Sequence, residues 1–107
     1  MVLQRIGEIL EQSCSRDQIL TRIGGDEFGI LVPGLGTDQA YDLADKIRFA
    51  LGMDSLLRAR KVTGSFGIAS YPKDGNTRDE ILRTADDHLY LSKRAGGNHV
   101  SSDKSPR

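Results

Sequence analysis

The chain has 107 residues, enough for one small domain with a core of its own, and its 15 basic and 15 acidic side chains cancel to a formal net charge of zero. That balance argues against a broad phosphate-backbone-binding surface, so nucleic acid is not expected as a partner, and the single Cys14 cannot close an intramolecular disulfide. No apolar run approaches the length of a bilayer span, and Arg5, Glu8 and Glu11 interrupt the N-terminal stretch, so a cytoplasmic setting without membrane contact by this chain is expected.

Val2, Leu3, Ile6, Ile9 and Leu10 recur at helical spacing and predict an amphipathic helix over the first dozen residues. No Ser, Thr, Asp or Asn precedes Val2 to cap it, so the chain reads as cut into an element already under way. After the polar Ser13 to Asp17, two strands, Ile19 to Ile23 and Phe28 to Val32, flank Gly24-Gly25-Asp26-Glu27 as a hairpin. Pro33 to Gly36 punctuates the exit, and Thr37 is the expected N-cap of a helix with Ala40, Leu43, Ala44, Ile47 and Leu51 on its inner face.

Met53 to Lys61, carrying Arg58 and Arg60, reads as a surface loop, and the alternation of Val62, Gly64, Phe66, Ile68 and Ser70 predicts a strand. Pro72 to Asn76 is a turn, and Thr77 with Glu80 forms a capping box for a helix that points Ile81, Leu82, Ala85 and Leu89 inward. Gly96-Gly97 ends that helix, and Asn98 to Val100 makes a short last strand. The domain is expected over residues 1–100, with 101–107 a polar tail. The order is that of an α+β fold, one sheet with helices packed on it.

The hairpin turn carries the chemistry. Gly24 and Gly25 permit positive φ and remove side chains, which lets a phosphate or a metal approach the backbone, and Asp26 and Glu27 bring charge to the same place. Adjacent residues in an extended segment point to opposite sides, so the two carboxylates should divide the work. One can hold a divalent cation while the other contacts another group or takes a proton; a carboxylate at a glycine turn suits a metal–nucleoside triphosphate. As a bare pattern, a solvated acidic turn is the simpler explanation.

Three separated stretches change that balance. RIGGDEFGILVPG, VTGSFGIASYP and ADDHLYLSK, the last running from Ala85 to Lys93, resemble in correct order the motifs of the GGDEF family, the diguanylate cyclases, and the resemblance extends from about Val2 to Val100. It implies a ferredoxin-like, nucleotide-cyclase-like palm sheet with helices packed on it. It also implies a homodimer in which each protomer holds one GTP, and the joining of the two into cyclic di-GMP with Mg²⁺ or Mn²⁺ as cofactor. Carried over by position, Gly24 and Gly25 would lie against the triphosphate and Asp26 would ligate the metal. Glu27 would assist deprotonation of the attacking 3′-hydroxyl or bind a second metal, and Lys93 would meet the terminal phosphates. A sensory or phosphodiesterase domain would accompany this one in a longer parent.

The chain also departs from that pattern. The family's domain has a further N-terminal strand, whose aspartate shares the metal, and a helical segment that reads guanine. This chain matches the C-terminal two-thirds, truncated at the N-terminus, and is expected to show little or no cyclase activity alone. The absent strand would lie beside Phe28 to Val32, so two sheet edges should be left open. The family's product-inhibition R-x-x-D falls on Ser15 and Gln18, and its closing arginine is replaced by Gly97. These losses favour the alternative of a non-catalytic module that binds GTP or cyclic di-GMP. His88 and His99 lack metal-ligand spacing, Cys14 reads as a small buried hydrophobe, and Lys46 and Arg48 read as the solvated face of a helix rather than a basic patch.

Overall fold

A computed structural model describes residues 2–24 and 27–103, and within them the chain runs α1 (Val2–Ser13), β1 (Ile19–Gly24), β2 (Glu27–Leu31), α2 (Thr37–Met53), α3 (Ser55–Ala59), β3 (Phe66–Gly67), α4 (Arg78–Arg94) and β4 (Val100–Ser101). The α+β class is as expected, but the single sheet is not. Among the described residues β1 pairs antiparallel with β2, β3 pairs parallel with β4, and the two pairs are separate.

The main core joins α1, α2 and α3 to one face of the hairpin. Ile9 and Leu10, Ile47 and Leu51, and the fully buried Leu57 form its centre, with Leu20, Phe28 and Ile30 packed against it. Each such aliphatic side chain contributes about 1.5–3 kcal/mol by leaving water. A smaller cluster of Ala44, Ile68 and Val100 lies under α2, and Phe66 packs on both. Strand alternation puts Ile19, Ile23 and Leu31 on the hairpin's other face, where they are 58, 61 and 62 % exposed. A register shift between Arg22 and Gly24 leaves Ile23 outside the ladder, and Gly24 then pairs with Glu27.

The region 53–61, expected as a loop, holds α3. Asp54 caps it by accepting from Leu57 N at 3.2 Å and takes Arg5 Nε at 2.7 Å, tying α1 to α3. The strand expected over 62–70 shrinks to Phe66–Gly67, because β4 offers only two residues to pair with; Phe66 N donates to His99 O at 2.8 Å and Ile68 N to Ser101 O at 3.0 Å. The alternation there reflects which side chains face the core, not the length of a ladder. The last strand is Val100–Ser101 rather than 98–100, and the polar segment starting at Ser101 begins inside the fold, with Ser101 and Ser102 buried and Asp103 paired with Lys73.

Thr37 is the first helical residue of α2 and not its cap. Gly36 takes that place, its N–H donating to Gln39 Oε1 at 3.0 Å, while Thr37 Oγ1 bonds Ser70 Oγ at 2.7 Å. The capping box of α4 is as expected: Glu80 N donates to Thr77 Oγ1 at 3.1 Å, and the backbone N–H groups of Asn76 and Thr77 hold the Glu80 carboxyl below its usual range.

The inner face of α4 differs from the expected stripe. Leu82 is 41 % exposed, and the residue sealed from solvent is Ser92. At four-residue spacing, Thr84 Oγ1 donates to Asp74 O at 3.1 Å, His88 Nδ1 bonds Ile68 O at 2.6 Å, and Ser92 Oγ donates to Phe66 O at 2.6 Å. A carbonyl only accepts, so His88 carries its proton on Nδ1. For the same reason the one proton of Ser92 goes to Phe66, and the hydroxyl of Ser101, 2.8 Å away, must supply their shared bond. The helix comes so close to β3 that a Cβ at Gly67 would overlap the Ala85 carbonyl and the Leu89 backbone.

Ser92→Ala should therefore lower the unfolding free energy by about 1–3 kcal/mol, the cost of leaving buried polar groups unsatisfied, measured by urea denaturation. Asp54 gives a pH signature. The Arg5 guanidinium, more than the Leu57 N–H, holds its carboxyl below the usual range against the opposing effect of burial. A lowered folded pKa means that the stabilisation is complete above the ordinary carboxylate value of about 3.9 and is lost as pH falls through the folded value. The stability difference between wild type and Asp54→Asn should be constant from about pH 5 to pH 8 and close below about pH 4.

Candidate functional site

The hairpin places Gly24 and Glu27 opposite one another as its last cross-strand pair. Gly25 and Asp26, between them, lie outside the described residues. Glu27 is exposed, and strand alternation puts it on the face opposite the core-facing Phe28. Gly24 does not use the positive φ that a glycine permits: the described glycines in that region are Gly34, Gly96 and Gly97. Among the described residues, a Cβ built on Gly24 meets nothing within 4 Å. Its described surroundings therefore admit a side chain, and a bare position leaves the backbone open to approach.

Among the described residues no group of three His, Cys, Asp or Glu side chains stands together as a metal cage. The donor set still suits a hard cation, because adjacent carboxylates at a turn can be completed by phosphate oxygens and water. His88 is committed to the Ile68 carbonyl, and burial pushes the half-buried Cys14 thiol up, so neither offers a softer alternative.

Lys93 stands exposed in the last turn of α4, beside the fully buried Ser92. Gly96 N donates to Lys93 O and Gly97 N to Ser92 O, both at 3.1 Å, closing the helix. Gly96, Gly97 and Asn98 follow with φ of 109°, 74° and 53°. The candidate residues thus stand on separate elements, Gly24 and Glu27 on the hairpin and Lys93 on the helix over β3 and β4. Arg94 is engaged with Tyr90, donating to its hydroxyl at 3.0 Å.

Two shallow clefts lie elsewhere. One of about 400 Å³ is lined by residues of the 72–76 turn with Glu80, Arg83 and Thr84, the other of about 540 Å³ by the start of α2 with Ser70, Tyr71 and Lys73. Neither holds Gly24, Glu27 or Lys93. Their polar groups are largely committed: Thr37 to Ser70, Glu80 to its capping box and Lys73 to Asp103.

The family model for the diguanylate cyclase GGDEF domain matches residues 1–99. The chain belongs to the GGDEF family. The probable diguanylate cyclase DgcT of Escherichia coli is 36 % identical over 104 residues, and diguanylate cyclase DgcM of the same organism is 34 % identical over 100. Each match covers 92 % of this chain but 23 and 24 % of the relative, so the chain spans about a quarter of their length. Among solved structures, the GGDEF domain of PA1120 (YfiN or TpbB) from Pseudomonas aeruginosa superposes with a TM-score of 0.84 at 27 % identity, over 97 % of this chain and 67 % of that one.

Against the GGDEF pattern, Ser15 and Gln18 close a local turn: Ser15 N donates to Gln18 Oε1 at 2.9 Å and Gln18 N to Ser15 O at 3.1 Å. Arg48 is not simply a solvated helix residue, since it bonds Asp45 at 2.8 Å and Asn98 at 3.1 Å. The ladder of Thr84, His88 and Ser92 was missed from sequence, although three polar residues at four-residue spacing in an otherwise apolar helix face are its signal. If Gly24 serves access rather than folding, Gly24→Ala should leave the urea midpoint unchanged or slightly raised, by up to about 0.5 kcal/mol, while cutting nucleotide affinity roughly tenfold in a binding titration.

Proposed function

We propose that this is the catalytic domain of a diguanylate cyclase, which joins two GTP molecules into cyclic di-GMP and releases two pyrophosphates. The reading is supported by the match to the GGDEF domain, whose signature falls at the hairpin reversal where Gly24 and Glu27 form the last described cross-strand pair. Gly24 and Gly25 admit the triphosphate to the backbone, Asp26 would hold Mg²⁺ or Mn²⁺, and Lys93 meets the terminal phosphates as a point charge. A bound divalent cation offsets charge on the attacking and leaving oxygens.

In each half-reaction the 3′-hydroxyl of one GTP attacks the α-phosphorus of the other in line with the departing pyrophosphate. Glu27, exposed and on the opposite side of the strand from the core, takes the hydroxyl proton directly or through water. Each protomer presents one nucleotide, so catalysis needs a homodimer, and GTP places the work in the cytoplasm. Sensory or phosphodiesterase domains in a longer parent would control the encounter of the protomers.

A second reading, a regulatory module that binds GTP or cyclic di-GMP without turnover, draws on Gly97 and on the Ser15–Gln18 turn, where family guanidinium and carboxylate groups are missing. Incubation of the intact protein with GTP and Mg²⁺ separates the two. The cyclase should yield cyclic di-GMP, with Asp26→Ala lowering the rate at least about a hundredfold and Lys93→Ala roughly tenfold. GTP bound without product would establish the module instead.

A further inference from the structure

The candidate site stands on two separately paired strand units, and α2 is the element common to both. Its buried Ile47 and Leu51 belong to the core on which the hairpin residues Leu20, Phe28 and Ile30 pack. Beside Ile47, Arg48 has a side chain only 28 % exposed and reaches the other unit. Its Nε donates to Asp45 Oδ1 at 2.8 Å, which fixes the plane of the guanidinium, and its Nη1 donates to Asn98 Oδ1 at 3.1 Å.

Asn98 is the third of three consecutive residues at positive φ, a region that asparagine enters more readily than other side chains, and its amide oxygen is the acceptor that Arg48 meets there. The reversal is itself bonded to the last turn of α4 through the Lys93 and Ser92 carbonyls. We propose that Arg48 is a positioning residue: from α2 it clamps Asn98, and through the reversal it fixes Lys93 relative to the hairpin that carries Gly24 and Glu27. The proposal rests on the reading of Lys93 as a phosphate contact.

The rigid fork is essential to this role. A lysine at 48 keeps the charge but cannot bond Asp45 and Asn98 together in one plane, whereas aspartate at 98 keeps the acceptor. A role in charge alone would survive Arg48→Lys.

The test has two readouts on the intact protein. In amide hydrogen exchange, Arg48→Ala and Arg48→Lys should accelerate exchange at Gly96 to His99 roughly tenfold and leave β1 and β2 unchanged, while Asn98→Asp stays near wild type. Affinity for the α,β-methylene analogue of GTP with Mg²⁺ should fall roughly three- to tenfold in Arg48→Ala and Arg48→Lys, but by less than about twofold when Lys93 is already alanine. Unchanged exchange at the reversal, or an Arg48 effect that persists in full without Lys93, overturns the positioning role. If the reversal loosens as expected but wild type binds no nucleotide, the clamp stands as structure, and the reading of the site falls with the role assigned to Arg48.

Discussion

The approach of α4 to β3 is the constraint on which the rest of this half of the molecule depends. At Gly67 the helix backbone occupies the space of a side chain, so the contact is made by main chain against main chain. Such closeness brings carbonyls of β3, of Ile68 just after it and of the 72–76 turn to the helix surface, and they must be hydrogen-bonded or pay for lost water. Thr84, His88 and Ser92 answer this at successive turns, and Ser101 completes the bonding around Ser92. The ladder permits little sliding or rotation of the helix, because each bond names one carbonyl. Lys93, one residue beyond the last rung, takes its direction from that register.

The hairpin is held by different physics. Leu20, Phe28 and Ile30 rest on the helical core, and the attachment is apolar and non-directional. A two-stranded ribbon is marginal in isolation, so its register depends on that one face. Ile19, Ile23 and Leu31 on the other face lie open to solvent. The hairpin is thus held by apolar packing and the end of α4 by directed hydrogen bonds. Between them, α2 packs under the hairpin and reaches through Arg48 to the reversal that follows α4.

How far the sequence discloses this follows from the length of each signal. α1 and α2 are long enough for a 3.6-residue period to show, and the hairpin is bounded by glycines, so both are legible. α3 spans five residues, too few for any period, and Arg58 and Arg60 mask the one side chain that matters, Leu57. The segment 62–70 alternates because Val62, Phe66 and Ile68 face the core, which says nothing of whether a partner strand runs beside them. In α4 the apolar stripe misleads at Leu82, because the contact with β3 is so close that hydroxyl and imidazole groups displace aliphatic ones. For the site, family motifs name Gly24, Glu27 and Lys93 as candidates, but no local pattern reveals that Gly24 lies outside the positive-φ region or that Arg48 reaches Asn98 fifty positions on.

The departures at the reversal and at the Ser15–Gln18 turn have different physical weight. Ser15 and Gln18 are joined by a backbone bond and by the Gln18 amide oxygen accepting from Ser15 N, and the backbone bond of that turn does not depend on which side chains stand there. At Gly97 the obstacle is the backbone: with φ at 74°, a side chain of any kind costs on the order of 1–2 kcal/mol before it makes a contact. The space beside Gly97 is otherwise open, since a Cβ there meets only Ser65 Oγ at 3.5 Å. Conformation rather than crowding therefore weighs against a side chain at this reversal, and the guanidinium found at this corner is that of Arg48, which reaches Asn98 from α2.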